Sequence, residues 1–178
     1  YVDLCQDPAL VAEAMATVAT AQIGFARHLA PYMNDGPTGW THQHGFLVRG
    51  PILIRIDSAI MLSPRMYREQ IAPHDARVLR ELGGGGLHSC GNINLNGLEY
   101  LDVPSVQCLD LGQPDLNDLD RLYAMARERR IPLLRVSVPE HELTSGSVLR
   151  RFPTGVSLLH PAKSLADARR IMTAYLSH

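Results

Sequence analysis

The sequence predicts an α/β fold built from parallel β–α units. Apolar segments of strand length alternate with amphipathic helical segments from Gly83 to the C-terminus, an order that is typical of parallel sheets. The strand segments are apolar throughout, which suits strands buried on both faces. About five strand units can be counted, whereas a closed eight-stranded barrel takes about 250 residues. The 178 residues therefore predict either an open sheet or part of a barrel whose first strands are absent.

The N-terminal third predicts one long helix, a loop and one or two strands. The helix spans Asp7 to Tyr32: Asp7 can cap it, Pro8 suits its first turn, and apolar residues recur at helical spacing. Residues 34–45 are rich in Gly and Pro and predict a loop. The segment "FLVRGPILIRID", residues 46–57, has the apolar, β-branched character of strands and is broken at Gly50.

The rest of the chain predicts helices and strands in alternation. Ser63 and Pro64 begin a helix that runs to about Leu82, and Pro73 inside it should kink or split it. The glycine run 83–86 is expected to end this helix. The predicted strands that follow are "GGGLHSC", "SVQCLDL", "IPLLRVSVP" and "GVSLLH". Predicted helices lie near 95–101, 115–130 and 164–178, and a helical turn is expected within 141–152.

Composition limits the classes of partner. A formal net charge of −1 argues against a nucleic-acid surface or an acidic membrane as the main partner. No apolar run approaches the roughly 20 residues that span a bilayer. Cys5, Cys90 and Cys108 are the only cysteines, too few and odd in number for a disulfide framework. We therefore expect a cytoplasmic protein in which Cys90 and Cys108 are free thiols or metal ligands.

We expect residues 1–178 to form a single domain, because no repeat, low-complexity tract or boundary is visible. The chain begins at Tyr1 and not at Met, and no secretory leader is visible, so we expect N-terminal strands of the domain to be missing. Two open sheet edges would invite pairing with another chain, since edge strands carry unpaired backbone groups. The prediction is a homodimer or a longer polypeptide.

Polar residues follow the predicted strands at the edge where function collects in parallel α/β proteins. Strand-end loops are polar in any soluble protein, so this pattern alone is weak. The residues at these ends are Asp57 and Ser58, His88 and Cys90, Asp110, Glu140 and His141, and His160.

His88 and Cys90 in "HSC" are the sharpest candidates for a metal site. Residues two apart on a strand point to the same face, and imidazole and thiolate are good zinc ligands. A catalytic zinc takes three protein ligands; we expect His160 as the third, with Cys108 as the alternative. On spacing alone, a buried core cysteine beside a hydrogen-bonded histidine explains the motif more simply. Cys108 could equally belong to the core.

A family resemblance favours the metal interpretation. The segments "IDSAIMLSPRMYREQIAPHDARVL" and "HSCGN" together resemble the uroporphyrinogen decarboxylase superfamily, closest to its zinc-dependent branch of methylcobalamin:coenzyme M methyltransferases. The resemblance implies a TIM-type (β/α)8 barrel, of which this chain is the C-terminal portion, with His88 and Cys90 as two zinc ligands. The family's third ligand is a cysteine near the last strand. "GVSLLHPAK" has no cysteine, and His160 stands close to that position.

The resemblance also implies a function. It predicts a zinc-dependent methyltransferase that moves a methyl group between a corrinoid such as methylcobalamin, held on the enzyme or on a partner protein, and a small-molecule thiol. Ser58 matches a serine that contacts a substrate carboxylate in the decarboxylases, and Asp57 is expected to line the mouth of the barrel. Asp57 and Ser58 would position the acceptor, and His160 and Asp57 are the expected catalytic residues.

Two alternatives remain open from the sequence. One is a metal-free decarboxylase of the same fold, which would need cationic groups to hold several carboxylates; the His88–Cys90 pair has no role in that chemistry. The other is a non-catalytic member of the family with a closed structural zinc site, in which Cys108 or another residue would be a fourth ligand.

Overall fold

The structure is a computed structural model that describes residues 1–33, 39–43 and 45–178. A parallel sheet of five strands in the order β3-β4-β5-β6-β7 forms its centre, and a separate antiparallel pair, β1-β2, lies beside it. The strands are β1 (Trp40–Gln43), β2 (Phe46–Arg49), β3 (Leu53–Arg55), β4 (Gly85–Ser89), β5 (Val106–Leu111), β6 (Leu133–Ser137) and β7 (Val156–Leu159).

The predicted α/β class and the parallel order of its strands are confirmed. Neighbouring strands of the large sheet follow one another in sequence, because each crossover packs a helix back on the sheet before the next strand begins. The helices are α1 (Val2–Gln6), α2 (Pro8–Leu29), α3 (Pro64–Met66), α4 (Ala72–Leu82), α5 (Gly97–Leu101), α6 (Leu119–Arg129), α7 (Glu140–Thr144), α8 (Val148–Arg151) and α9 (Leu165–Tyr175). In the described residues the sheet has two edges, β3 and β7.

Helix α2 begins where the sequence predicts. The Asp7 side chain accepts a hydrogen bond from Leu10 N at 3.0 Å, and a short 3-10 turn follows the helix at Ala30–Tyr32. Helix α2 packs against α4 and buries Ala19 and Ile23. By length and composition alone, Pro8–Tyr32 would also be able to cross a membrane. The sequence-based statement that no apolar run approaches this length therefore does not hold for α2.

The predicted loop over residues 34–45 was wrong for its second part. Residues 40–43 form β1, which pairs antiparallel with β2, while residues 34–38 and 44 lie outside the described part of the chain. Trp and Thr favour strands, and this preference outweighs the neighbouring Gly and Pro. Strand β2 of the hairpin packs against β4 and β5, and its Val48 joins Leu53, Cys108 and Leu134 in a small apolar cluster.

The segment from Ser63 to Leu82 is helical throughout and changes pitch before Pro73. Ser63 Oγ caps its start by accepting from Met66 N at 3.2 Å, and a π-helical turn, Tyr67–Ile71, separates α3 from α4. A proline cannot donate to the carbonyl one turn earlier, and a π turn is one of the few ways in which a helix accommodates that gap. Gly83, with φ 83°, ends α4 in the left-handed conformation expected of a glycine cap.

Candidate metal centre

The centre lies where β3 and β4 end. His88 is on β4, and Cys90 is the first residue after that strand. Asp57 begins the 3-10 turn after β3. Because β3 and β4 are parallel and adjacent, their C-terminal ends meet at the same edge of the sheet. Gly91, with φ 80°, turns the chain away immediately after Cys90, as the "GN" pair predicts.

Three donor atoms converge at this edge. His88 Nε2 lies 3.4 Å from Cys90 Sγ and 3.4 Å from Asp57 Oδ1, and all three donor atoms lie within 4.8 Å of one another. Ligands bonded to one tetrahedral zinc ion at 2.0–2.3 Å are about 3.5 Å apart. The two distances from His88 Nε2 match this separation, and the third pair of donors lies within 4.8 Å.

The second nitrogen of His88 has a carboxylate partner. Nδ1 lies 2.7 Å from Asp110 Oδ2, and both side chains are buried. A carboxylate accepts hydrogen bonds and does not donate them. With a metal ion on Nε2, the ring proton would therefore lie on Nδ1 and be donated to Asp110. A carboxylate behind a histidine in this way is the usual support of a metal-binding imidazole.

Asp110 is held in turn by Arg135. The guanidinium makes two hydrogen bonds to the carboxylate, Nε to Oδ1 at 2.6 Å and Nη2 to Oδ2 at 2.8 Å. Nη2 also lies 2.9 Å from His88 Nδ1, because both nitrogens converge on Oδ2. A bidentate pair of this kind fixes the orientation of the Asp110 carboxylate and also balances its negative charge.

Arg135 reaches this position through an irregularity in β6. Its φ is 59°, and the register of β6 with β7 shifts between Leu133 and Val136. Leu133 and Val136 pack in the large core, Leu134 packs in the small cluster with Cys108, and Arg135 points toward Asp110 on the same face as Leu134. A non-glycine residue with this φ costs about 1–3 kcal/mol and persists where its surroundings hold it. Strand bulges near functional sites re-aim a side chain in this manner.

Cys90 is a protonated thiol at neutral pH in the absence of a metal. Burial, followed by the hydrogen bond and negative charge of Asp57, raises the pKa of the Cys90 thiol above its ordinary value. Asp57 Oδ1 also accepts from Cys90 N at 2.7 Å. This backbone bond ties the turn after β3 to the end of β4 and fixes the relative positions of two of the three donors.

The chain after β5 closes over the pair from the other side. A Cβ at Gly112 would stand 2.5 Å from Cys90 Sγ and 3.1 Å from His88 Cε1, so any larger residue there would have to displace the Cys90 side chain. Gln113 Oε1 accepts from Gly91 N at 2.8 Å. Asn117 accepts from Ile93 N through Oδ1 at 2.8 Å, and its Nδ2 donates to Gly91 O at 3.1 Å. These bonds brace the turn that follows Cys90.

The structure places the two predicted candidates for the third ligand, His160 and Cys108, apart from the three donors. His160 follows β7 directly, with Nδ1 2.9 Å from Val138 O. β7 is three strands from β4, about 14 Å at the usual strand spacing. Cys108 lies in the small apolar cluster, and burial raises the pKa of its thiol to about 12, which disfavours the thiolate needed of a ligand. Among the described residues, Asp57 completes the group, and the ligand roles of His160 and Cys108 stay predictions.

Asp57 and Ser58 line a cavity of about 610 Å³. Its other walls come from α1, α2, α4 and β3 and are mostly apolar, with Arg55 at the same end as Asp57. The volume is within the range that small-molecule sites occupy, and a few polar groups in an apolar wall are typical of such sites. This cavity gives the predicted substrate-positioning residues room for a ligand, and Asp57 is the one of the three donor residues that lines it.

Sequence reasoning missed Arg135, Gly112, Gln113 and Asn117. An arginine within the apolar "LLRVS" strand was a usable signal for the first. The run "LGQPDLN" directly after a strand, rich in turn and amide residues, was a usable signal for the others. Asp110 was recognised only as a strand-end residue, and its partner could not be known without the pairing of β4 with β5.

No protein family model, curated protein or solved structure matches the chain.

Proposed function

We propose that Asp57, His88 and Cys90 bind a zinc ion, and that the protein is a zinc-dependent methyltransferase that moves a methyl group between a corrinoid and a thiol. The observation that carries the metal site is the convergence of the three donors within 4.8 Å, with the other nitrogen of His88 held by Asp110. The resemblance of "HSCGN" and the segment before it to the methyltransferase branch supports the reaction.

The donor set favours zinc among the common metals. A thiolate with an imidazole selects zinc over magnesium and calcium, which prefer oxygen ligands. Three protein ligands leave one position for a substrate atom. When bound, zinc supplies a Lewis acid that lowers the pKa of a substrate thiol so that thiolate is present at neutral pH, and the corrinoid supplies or receives the methyl group.

The residues of the protein itself would hold the metal ligands and the substrate in position and would exclude water from the site. Asp110 and Arg135 fix the direction of the His88 ring. Asp57 ties Cys90 in place through its backbone N–H. Ser58 and the apolar walls of the adjoining cavity hold the organic part of the thiol next to the donors, where loss of water strengthens every electrostatic interaction.

The proposal also covers the complete fold of the domain and the protein that binds the corrinoid. The five described strands would be part of a (β/α)8 barrel, with the three donors at its C-terminal mouth. The corrinoid would be bound on this protein or on a partner protein. His160, also at a strand end, is retained as a proposed catalytic residue that acts on the substrate from the far side of the mouth.

The first test is zinc content, measured by elemental analysis on protein purified without chelator. We expect about one zinc per chain, as for a single three-ligand site. Cys90→Ser and Asp57→Asn should lose or weaken binding, whereas Cys5→Ser, which changes an exposed cysteine, should retain it. His160→Ala decides the third ligand: loss of zinc in His160→Ala but not in Asp57→Asn would assign His160.

The second test addresses the reaction. Protein loaded with cobalt(II) should change its visible spectrum when a small thiol is added, because the thiolate would enter the open position. Methyl transfer would then appear as the conversion of methylcobalamin in the presence of protein and thiol. Absence of zinc after reconstitution under reducing conditions would contradict the proposal and favour the decarboxylase or the non-catalytic alternative.

A further inference from the structure

We propose that Arg135 is a positioning residue of the metal centre: by holding both oxygens of Asp110 it sets the orientation of the His88 ring and keeps Asp110 from becoming a ligand. The inference rests on the proposed metal site. It assigns a role to a residue three strands along the sheet from Asp57, which touches none of the three donor atoms in the contacts above.

The hydrogen bonds of Asp110 carry the first step. Oδ1 accepts from Arg135 Nε, and Oδ2 accepts from Arg135 Nη2 and from His88 Nδ1. Each carboxylate oxygen therefore already accepts a hydrogen bond. The two parallel bonds from Arg135 prevent the carboxylate from rotating toward His88 Nε2. The set of metal-binding atoms therefore contains one carboxylate, that of Asp57, beside the imidazole nitrogen and the sulfur. Nitrogen and sulfur ligands favour zinc.

The backbone of β6 carries the second step. Strict alternation along a strand would send Leu134 and Arg135 to opposite faces. The φ of 59° at Arg135 and the shift in register place both on the face that bears His88. L side chains rarely adopt this backbone conformation, and here it delivers the guanidinium to Asp110. An ordinary strand at this point would remove the two hydrogen bonds from Arg135 that hold the Asp110 carboxylate.

Metal affinity measured by cobalt(II) titration tests the proposal. Arg135→Met should bind cobalt(II) about 10–100-fold more weakly than wild type, the usual effect of losing a group that supports a metal-binding histidine. Arg135→Lys should fall between the two, because an ammonium group cannot hold both oxygens in a fork. The cobalt(II) absorption bands should shift in Arg135→Met, since the ligand geometry changes.

Arg55→Met is the matched control for charge. Arg55 is paired in register with His88 on the neighbouring strand, and its positive charge also acts on Cys90. Arg55→Met therefore removes one positive charge beside the donors while the two hydrogen bonds from Arg135 to Asp110 stay in place. Equal loss of affinity in Arg55→Met and Arg135→Met would overturn the proposal, because charge alone would then explain the effect.

The double variant Asp110→Leu/Arg135→Met separates positioning from stability. Arg135→Met alone removes two hydrogen bonds and a positive charge from the buried Asp110 carboxylate and should lower the melting temperature, whereas replacing both partners also removes the buried carboxylate. We expect the double variant to melt near wild type and still to bind cobalt(II) weakly. Recovery of both stability and affinity would assign Arg135 a purely structural role and overturn the inference.

Nitrogen NMR of His88 gives an independent readout. Wild type should carry the ring proton on Nδ1, and Arg135→Met should show a mixture of the two tautomers, because Asp110 is no longer held in place. An unchanged tautomer together with unchanged cobalt(II) affinity in Arg135→Met would exclude the proposed role. Failure of wild type itself to bind zinc or cobalt(II) is a different result and contradicts the metal site.

Discussion

Gly112 sets how closely the chain after β5 approaches the donor pair. An alanine there would place its Cβ 2.5 Å from Cys90 Sγ and 3.0 Å from Cys90 Cα, and neither the strand end nor the braced turn can move away freely. We expect Gly112→Ala to lower the free energy of unfolding by about 1–3 kcal/mol, the usual effect of overpacking. We also expect it to weaken cobalt(II) binding about 10-fold, as measured by titration with a melting curve recorded alongside.

Gly24→Ala is the control for this prediction. Gly24 lies in α2, where an added Cβ would meet no heavy atom within 4 Å. Alanine is the better helix former by about 1 kcal/mol, so the variant should melt slightly higher and bind cobalt(II) as wild type does. Unchanged metal affinity in Gly112→Ala would show that the packing against Cys90 does not constrain the donors.

Some residues of the site could be predicted from sequence and others could not. His88 and Cys90 follow from two-residue periodicity. Asp57 was expected near them from its place after a strand, but as a substrate-positioning and catalytic residue and not as a metal ligand. Arg135 escapes such reasoning, because alternation from Leu134 sends its side chain to the wrong face, and only the backbone irregularity returns it. The role of Gly112 could not be predicted, because it depends on the contact with Cys90 and His88 in the folded protein and not on neighbouring residues in the sequence.

Elements were easier to predict than the contacts between them. Helix α2 and the four later strands have strong periodicity and clear caps, so local physics decides them. Hairpin strand β1 was missed because glycines and prolines surround a segment of only four residues, and its stability comes from packing on the sheet. Expectations for residues 34–38 and 44 fall outside the described part of the chain.

The helical segment from Pro64 to Leu82 contains a buried acid that should make stability depend on pH. Tyr67 Oη donates to Asp75 Oδ2 at 2.8 Å, but burial raises the pKa of Asp75 to about 6. The folded protein therefore binds this proton more tightly than the unfolded chain. Stability from Asp75 is greatest below about pH 4 and is lost as the pH rises to about 6, a total of about 3 kcal/mol.

Asp75→Asn tests this dependence, because the amide oxygen can still accept from Tyr67 while carrying no charge. We expect the variant to lose stability less steeply than wild type between pH 4 and pH 6, and to be more stable at pH 7 by up to about 3 kcal/mol. Denaturant unfolding at several pH values in the presence of a chelator measures the difference. Parallel pH profiles for the two proteins would contradict a raised pKa at Asp75.

The whole molecule carries two features that favour association. Within the described residues, β3 and β7 each have one neighbour, so their outer backbone groups are available to another strand. Leu159 on β7 is 39% exposed. We expect the purified chain to sediment as a dimer or larger species at micromolar concentration, with the monomer fraction rising on dilution.

Leu159→Lys tests whether the β7 edge is used. A lysine on an edge strand opposes strand pairing, so the variant should shift the population toward monomer. Leu116→Lys changes an exposed leucine that is not on a strand and should leave the distribution unchanged. A wild-type chain that remains a stable, monodisperse monomer at all concentrations would refute the expected dimer.

The bulge at Arg135 also limits how this part of the protein can change over generations. A single substitution of Asp110 or Arg135 breaks the bidentate pair between them, which is costly where the pair is buried, so each position constrains the other across 25 residues of sequence. Position 135 is restricted further, since β-branched side chains fit poorly at its φ. Substitutions at these two positions should therefore be rare and should occur together. In related proteins without the metal, we expect both residues to be replaced and β6 to be a regular strand.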